Sequence, residues 1–193
     1  MSDQSRQDRL TEARKLLDAS AFVSSNLLAE DMLAWARKLI EADVMEGDAE
    51  ATWLSGELST DYTGTPAEVE ARHLDHLNAS AAAGVIEAKF KLSLFLFDQG
   101  ETSRAATLCQ EAAEAGLPAA MWCHGLDLIS GTARDRNEAT GIDYIRRAAE
   151  QNVANAVKFM ADTTALGQFG LTQDEAEGAL WHRRLNSPQV YWI

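Results

Sequence analysis

The chain has few cysteines and no long apolar run, and each shortage excludes a class of protein. Its 193 residues include two cysteines, Cys109 and Cys123, which are too few for a disulfide framework. We expect both to be small buried thiols. No apolar stretch approaches the roughly 18–20 residues that cross a bilayer, and residues 1–20 lack the apolar core of a secretory signal. These absences predict a cytoplasmic protein that does not enter a membrane.

Basic residues are also scarce, with 17 Lys and Arg against 30 Asp and Glu, a net charge of −13. This balance argues against nucleic-acid and anionic-membrane surfaces as partners, because both require basic patches. Residues 41–71 contain no Lys, Arg or His. Their nine carboxylates are Glu41, Asp43, Glu46, Asp48, Glu50, Glu57, Asp61, Glu68 and Glu70. Such a segment is either a solvated face or a docking surface for a basic partner.

Ala, Leu and Glu are abundant and prolines number three, a composition that favours helices. One pattern recurs along the chain at intervals of 37, 32 and 36 residues. It starts at Gly47, Gly84, Gly116 and Asn152, which suit the left-handed conformation that ends a helix. An alanine always follows four residues later, and a small residue such as Gly56 or Gly125 nine residues later. A small residue at a fixed position predicts close contact with a neighbouring helix.

This period predicts an all-α fold, an α-solenoid of stacked antiparallel helix pairs. We expect three parts: residues 1–46 as an N-terminal helical hairpin, either a cap or a diverged repeat, then about four repeats in 47–186, and an apolar tail in 187–193. The tail either docks onto the last helix or contacts another chain. The predicted helix N-caps are Thr102, Asp135 and Asp174.

The clearest unit of the pattern reads GLPAAMWCHGLDLISG over residues 116–131. This unit resembles the repeat of the Sel1-like family, which is related to the tetratricopeptide repeats. Gly125 and Gly131 stand at the positions of the family's signature glycines. The resemblance implies a non-catalytic adaptor or scaffold for other proteins, and some bacterial members are immunity proteins that neutralise a toxin. The chain departs from the signature with Asn152 in place of glycine, Lys158 in place of an aromatic residue, and His73 and His76 in the first repeat.

Residues that would carry catalysis or bind a cofactor are not evident. The sequence has no phosphate-binding glycine loop, nucleophile elbow or zinc-protease pattern. His73 and His76 lie one helical turn apart, a spacing that can hold a metal, but surface histidines are the simpler interpretation. His124 and His182 are interpreted as structural. We therefore predict no enzyme, no cofactor and no metal site. A ligand- or metal-binding protein, or an enzyme with a pocket between helices, is the alternative hypothesis.

The expected partner is another protein, and the sharper hypothesis is that the chain is an immunity protein that binds a basic toxin. In this architecture the first helix of each pair tends to line the concave face. The contact residues predicted there are Glu57, Lys89, Asp127, Lys158 and Asp162. Those predicted in the acidic segment are Glu41, Asp43, Glu46, Asp48 and Glu50. Self-association through the C-terminal tail is a further hypothesis.

Overall fold

Ten helices account for most of the residues 3–59, 63–187 and 190–191 that this computed structural model describes. They are α1 (Asp3–Ser20), α2 (Asn26–Met45), α3 (Ala49–Glu57), α4 (Pro66–Ala82), α5 (Ile86–Asp98), α6 (Thr102–Glu114), α7 (Pro118–Ser130), α8 (Glu138–Glu150), α9 (Ala154–Leu166) and α10 (Glu175–Arg184). Helices pack against neighbours in the chain, as α1 does against α2, α7 against α8 and α9 against α10, and the predicted all-α fold built of helix pairs is confirmed. None of these helices is both long and apolar enough to cross a membrane.

The positions predicted as helix ends do adopt the left-handed backbone. The φ angles are +79° at Gly47, +92° at Gly84, +97° at Gly116 and +68° at Asn152. Asn152 is one of two residues other than glycine with positive φ in the described part of the chain. Asparagine tolerates this conformation better than most side chains, so the repeat survives the substitution.

The predicted N-caps are only partly correct. Asp174 does cap α10, because its carboxylate accepts a hydrogen bond from the Glu177 amide at 2.9 Å. Thr102 is already the first residue of α6 and does not cap it. The cap of α8 is Asn137 rather than Asp135. The backbone amide of Asn137 donates to the Leu128 carbonyl oxygen at 2.8 Å, and the helix begins only after Asn137.

The chain divides into two units, Met1–Ala88 and Lys89–Ile193. In the first unit, α1, α2 and α3 share an apolar core whose members include Leu10, Ile40 and Leu58, each no more than 1% exposed. Where α1 meets α2, the Arg9 guanidinium donates to both carboxylate oxygens of Asp43, at 2.9 and 2.5 Å.

In the second unit, small residues let neighbouring helices approach closely. A Cβ atom added to Gly178 of α10 would lie 2.9 Å from the carbonyl oxygen of Ala161 in α9, closer than packing allows. Ala161 is the small residue at the ninth position of its repeat. Gly125, at the same position one repeat earlier, makes a similar contact with α8. The predicted close contact is therefore present in both repeats.

The C-terminal segment binds the turn between α8 and α9. The Ala154 amide donates to the Tyr191 carbonyl oxygen at 2.7 Å, and the Tyr191 amide donates to the Asn152 carbonyl oxygen at 3.0 Å. The Arg184 side chain adds a bond from its Nε to Asn152 Oδ1 at 2.9 Å. Of the two expectations for the tail, docking on the last helix does not hold for the Tyr191 backbone, which bonds to the α8–α9 turn instead, and contact with another chain stays a prediction. The tail residues Trp192 and Ile193 lie outside the described residues.

Candidate functional site

An apolar groove of about 560 Å³ lies between α5, α6 and α7 in the second unit. Its position follows from the sequence of α5, which carries more large apolar residues than one face can bury. Leu92 and Leu96 are 2% and 3% exposed in the core, whereas Leu94 and Phe97 are 46% and 52% exposed. The residues that line the groove include Leu94, Phe97, Cys109, Cys123, Leu126 and Asp127.

Polar groups at the edge of the groove are bound to each other. The Arg134 guanidinium donates to Gln110 Oε1 at 2.6 Å and to the Ala106 carbonyl oxygen at 2.7 Å, both on α6. Its Nε lies 3.5 Å from Asp127 Oδ2 on α7. Arg134 thus ties α6 to α7 and neutralises the carboxylate that lines the groove. Ser93, also in the lining, donates its hydroxyl to the Phe90 carbonyl oxygen at 2.7 Å.

Both cysteines line the groove as free thiols. They are half-buried rather than enclosed in the core, so the expectation of buried thiols is only partly met. Burial raises the pKa of Cys109 to about 12, and the charges of Cys123 and Asp127 add to the effect. Burial likewise raises the pKa of Cys123 to about 11. At neutral pH both remain protonated, and a protonated thiol is a poor nucleophile and metal ligand.

Of the five contact residues predicted on first helices, the four in the second unit form three separate ion pairs. Lys158 and Asp162 pair with each other along α9 at 2.5 Å. Lys89 pairs with Glu111 at 2.7 Å, and Asp127 alone among the five lines the groove. Glu57 belongs to the first unit, where it is half-buried at the end of α3.

Sequence reasoning missed the two large apolar residues that are exposed over the groove, Leu94 and Phe97. A signal for them was present: residues 92–97 read LSLFLF, in which five of six residues are large and apolar. A helix turns about 100° per residue, so such a run cannot be buried on one face. Some of it must face outward.

The acidic segment is only partly available to a partner. Asp43 is 3% exposed, and the hydrogen bond from Arg9 lowers the pKa of its carboxyl group. Asp48 caps α3 by accepting from the Ala51 amide at 2.8 Å, and it also pairs with Arg6. Both side chains therefore have structural roles within the first unit, which leaves less of each free for a partner. Glu41 and Glu46 are exposed and Glu50 is half-buried.

Charge is divided unevenly between the units. The first unit has 17 carboxylates against 7 Lys and Arg, whereas the second has 13 against 10. Most of the net negative charge of the chain therefore belongs to residues 1–88. Asp61, one carboxylate of the acidic segment, lies outside the described residues.

Two histidines, His76 and His124, pack against aromatic rings. The His76 ring stacks on Trp53, with centroids 5.4 Å apart and planes 7° apart, while His73 is exposed. His124 of α7 is 3% exposed and meets the Tyr144 ring edge-on at 4.7 Å. Burial lowers the pKa of His124. Within the described ranges, no three His, Cys, Asp or Glu side chains are grouped so that they could hold a metal ion.

No protein-family model matches the chain, and no curated protein matches it. Among solved structures, the chain is similar to a Sel1 repeat protein from Oxalobacter formigenes, with a TM-score of 0.62 and 19% identity, over 83% of this chain and 64% of that one. It is also similar to c5321, a protective antigen present in uropathogenic Escherichia coli strains that displays an SLR fold. There the TM-score is 0.60 and the identity 18%, over 91% of this chain and 36% of that one.

The chain thus has the fold of the Sel1-like repeat proteins, as its motifs predicted. The α-solenoid class assigned from the sequence is confirmed with it. The chain spans less than two thirds of the length of either structure. At these identities the similarity establishes the fold alone.

Proposed function

We propose that this chain is a non-catalytic scaffold that binds an apolar segment of a partner protein in the groove between α5, α6 and α7. The observation that carries the proposal is the exposure of Leu94 and Phe97, about half of each side chain, over a concave apolar surface. Large apolar side chains gathered at a cavity are typical of interaction sites. The free thiols of the groove fit the cytoplasmic location that the sequence predicts.

The polar groups of the groove favour a protein segment over a small ligand or substrate. Small-molecule sites orient their ligand with a few free polar groups. Here Ser93 and Asp127 are already bound to neighbours in the protein. Catalysis by a cysteine requires a thiolate, and the raised pKa values of Cys109 and Cys123 oppose it. The alternative of an enzyme with an inter-helix pocket is thus less well supported.

The partner segment should carry one or two large apolar side chains flanked by basic residues. Apolar side chains would fill the groove beside Leu94 and Phe97. Asp98, next to Phe97 at the end of α5, is exposed, as is Glu101 in the following turn. These carboxylates would attract positive charge to the same end of the site.

A displayed library of random peptides tests the proposal, because selection from such a library does not require that the partner be identified. The library is selected against the full chain, and selected peptides are then measured against Phe97→Asp and Leu166→Asp. Leu166 is a matched control, because it is exposed in the same unit but does not line the groove. We expect apolar–basic peptides that lose affinity for Phe97→Asp and keep it for Leu166→Asp. The absence of selected peptides, or equal binding to both variants, would contradict the proposal.

A second candidate function rests on the charge of the first unit. A basic partner, such as the cognate toxin of an immunity protein, would dock near Glu41 and Glu46, with steering by the other carboxylates of residues 1–88. The exposure of these two glutamates supports this hypothesis. This candidate uses a surface of the first unit instead of the groove. Because its binding depends on charge, the affinity should fall as salt is added.

Affinity capture from native lysate at low and moderate salt tests this second candidate. Wild type is compared with Glu41→Lys/Glu46→Lys and with Asp135→Lys/Asp143→Lys, a control with the same net charge. We expect one stoichiometric basic protein that wild type and control retain at low salt and that the first variant loses. Equal capture by both variants excludes the acidic surface.

A further inference from the structure

Helix α2 turns one face to the core of the first unit and leaves a second apolar face uncovered. Ala36 and Ile40 are fully buried on the inner face. On the outer face, Leu28 is 51% exposed, Trp35 61% and Met45 83%. Three large apolar side chains exposed along one helix exceed the scattered single residues of an ordinary surface.

The outer face has the spacing of a coiled-coil seam. Leu28, Asp31, Trp35, Lys38, Ala42 and Met45 follow one another at intervals of three and four residues. Alternating intervals of three and four residues place all six side chains on one stripe of the helix. In a coiled coil, this stripe packs against the partner helix. All six are exposed. The seam is apolar except for one acidic and one basic residue.

The two charges make the seam complementary to itself. Asp31 and Lys38 are two helical turns apart, and their midpoint falls beside Trp35. An antiparallel pair of α2 helices with a two-fold axis at this midpoint would bring Asp31 of each copy to Lys38 of the other. It would also place the two Trp35 side chains against each other. A parallel pair would oppose like charges, which is unfavourable.

We propose that a second copy of this chain covers the outer face of α2 in an antiparallel, two-fold symmetric dimer. Neither Asp31 nor Lys38 forms an ion pair with another side chain of the described residues, so both are available. Each dimer gains two ion pairs between Asp31 and Lys38 and buries Leu28, Trp35 and Met45 from both copies. The surface differs from the groove and from the C-terminal tail.

Sedimentation equilibrium of the full chain, from about 1 to about 100 µM, tests the proposal through charge exchange. Asp31→Lys and Lys38→Asp each place like charges together, and Asp31→Lys/Lys38→Asp restores opposite pairs. Glu30→Lys is the matched control, because it makes the same charge change at an exposed position away from the seam. Thermal unfolding of every variant checks that the fold is retained.

The expected result is a wild-type dimer whose dissociation constant rises by about tenfold or more in each single variant. The double variant and Glu30→Lys should dimerise like the wild type. A wild-type chain that stays monomeric at every concentration overturns the proposal. So does a dimer that Asp31→Lys weakens no more than Glu30→Lys does, or a double variant that fails to recover.

Discussion

Gly125 of α7 and Gly141 of α8 pack backbone against backbone. A Cβ atom added to Gly125 would lie 2.8 Å from the Gly141 carbonyl oxygen, and one added to Gly141 would lie 2.7 Å from the Gly125 carbonyl oxygen. Neither helix has room for a methyl group at this crossing. The contact fixes the distance between the two helices and explains why glycine stands inside both.

Substitution of Gly125 by alanine should destabilise the protein. We expect Gly125→Ala to lower the free energy of unfolding by about 1–3 kcal/mol through overpacking, although alanine favours helix. The backbone of α8 cannot move aside as a side chain can. The measurement is urea unfolding followed by circular dichroism.

Gly56→Ala is the comparison for this prediction. There the added methyl group meets the His76 ring, with Nε2 at 2.0 Å, and a ring can rotate away by giving up its stacking on Trp53. We expect a smaller loss of stability than in Gly125→Ala. Equal stability of Gly125→Ala and wild type would show that the helices are not held at this contact.

Stability should fall on acidification because of His124. The ring is buried between α7 and α8, its Nδ1 has no hydrogen-bond partner in the described part of the chain, and burial lowers its pKa below the usual 6.5. Arg134 opposes its protonation, while Asp127 and Glu114 favour it. The unfolded chain therefore takes up this proton first as the pH falls below about 6.5, and the fold loses free energy until the folded pKa is passed.

Urea unfolding of wild type and His124→Phe between pH 7.5 and 5 measures this effect. The wild type should lose more stability over this range, by less than about 1.4 kcal/mol per pH unit, which is the limit for one proton. His124→Phe keeps an aromatic ring against Tyr144 but removes the titration. If the free energy of unfolding changed with pH equally in the two proteins, His124 would be ruled out as the cause.

The groove cysteines should react slowly. With pKa values of about 12 and 11, Cys109 and Cys123 form roughly a thousandfold and a hundredfold less thiolate at pH 8 than an ordinary cysteine. We expect N-ethylmaleimide to label both slowly in the folded chain and rapidly in urea, as mass spectrometry would measure. A peptide bound in the groove should slow the labelling further. Labelling of the folded chain at the rate of glutathione would contradict this environment.

The asparagine at the α8–α9 turn should hold the C-terminal segment. Asn152→Gly preserves the left-handed backbone but removes the acceptor of the Arg184 Nε bond. We predict faster hydrogen exchange at the Ala154 amide, which donates to Tyr191, and unchanged exchange at the Val157 amide, which bonds within the helix start to Val153. Unchanged exchange at both amides would mean that the Asn152 side chain does not secure the segment.

The sequence predicted the elements whose signals are local. Helix ends at Gly84 and Gly116, and the close contact at Gly125, follow from a recurring residue type and its conformation. The division into residues 1–46, 47–186 and 187–193 remains a prediction. So does the set of partner contacts.

Features that depend on distant residues could not be predicted in this way. In the sequence, Asp43 and Asp48 belong to one acidic segment, but Arg9 and Arg6 bind them from 34 and 42 residues away. In the sequence, Asn152 departs from the glycine of the repeat, and in the fold its side chain accepts a hydrogen bond from Arg184, 32 residues later. Such pairings arise only when the helices pack.

Site-specific photo-crosslinking tests most directly whether the groove binds a partner segment. A benzoylphenylalanine replaces Leu94 in one protein and Leu166 in another, and each is irradiated with a peptide selected on the wild-type chain. We predict a crosslink from position 94 and none from position 166. Crosslinking from position 166 alone, or from neither position, would contradict binding in the groove.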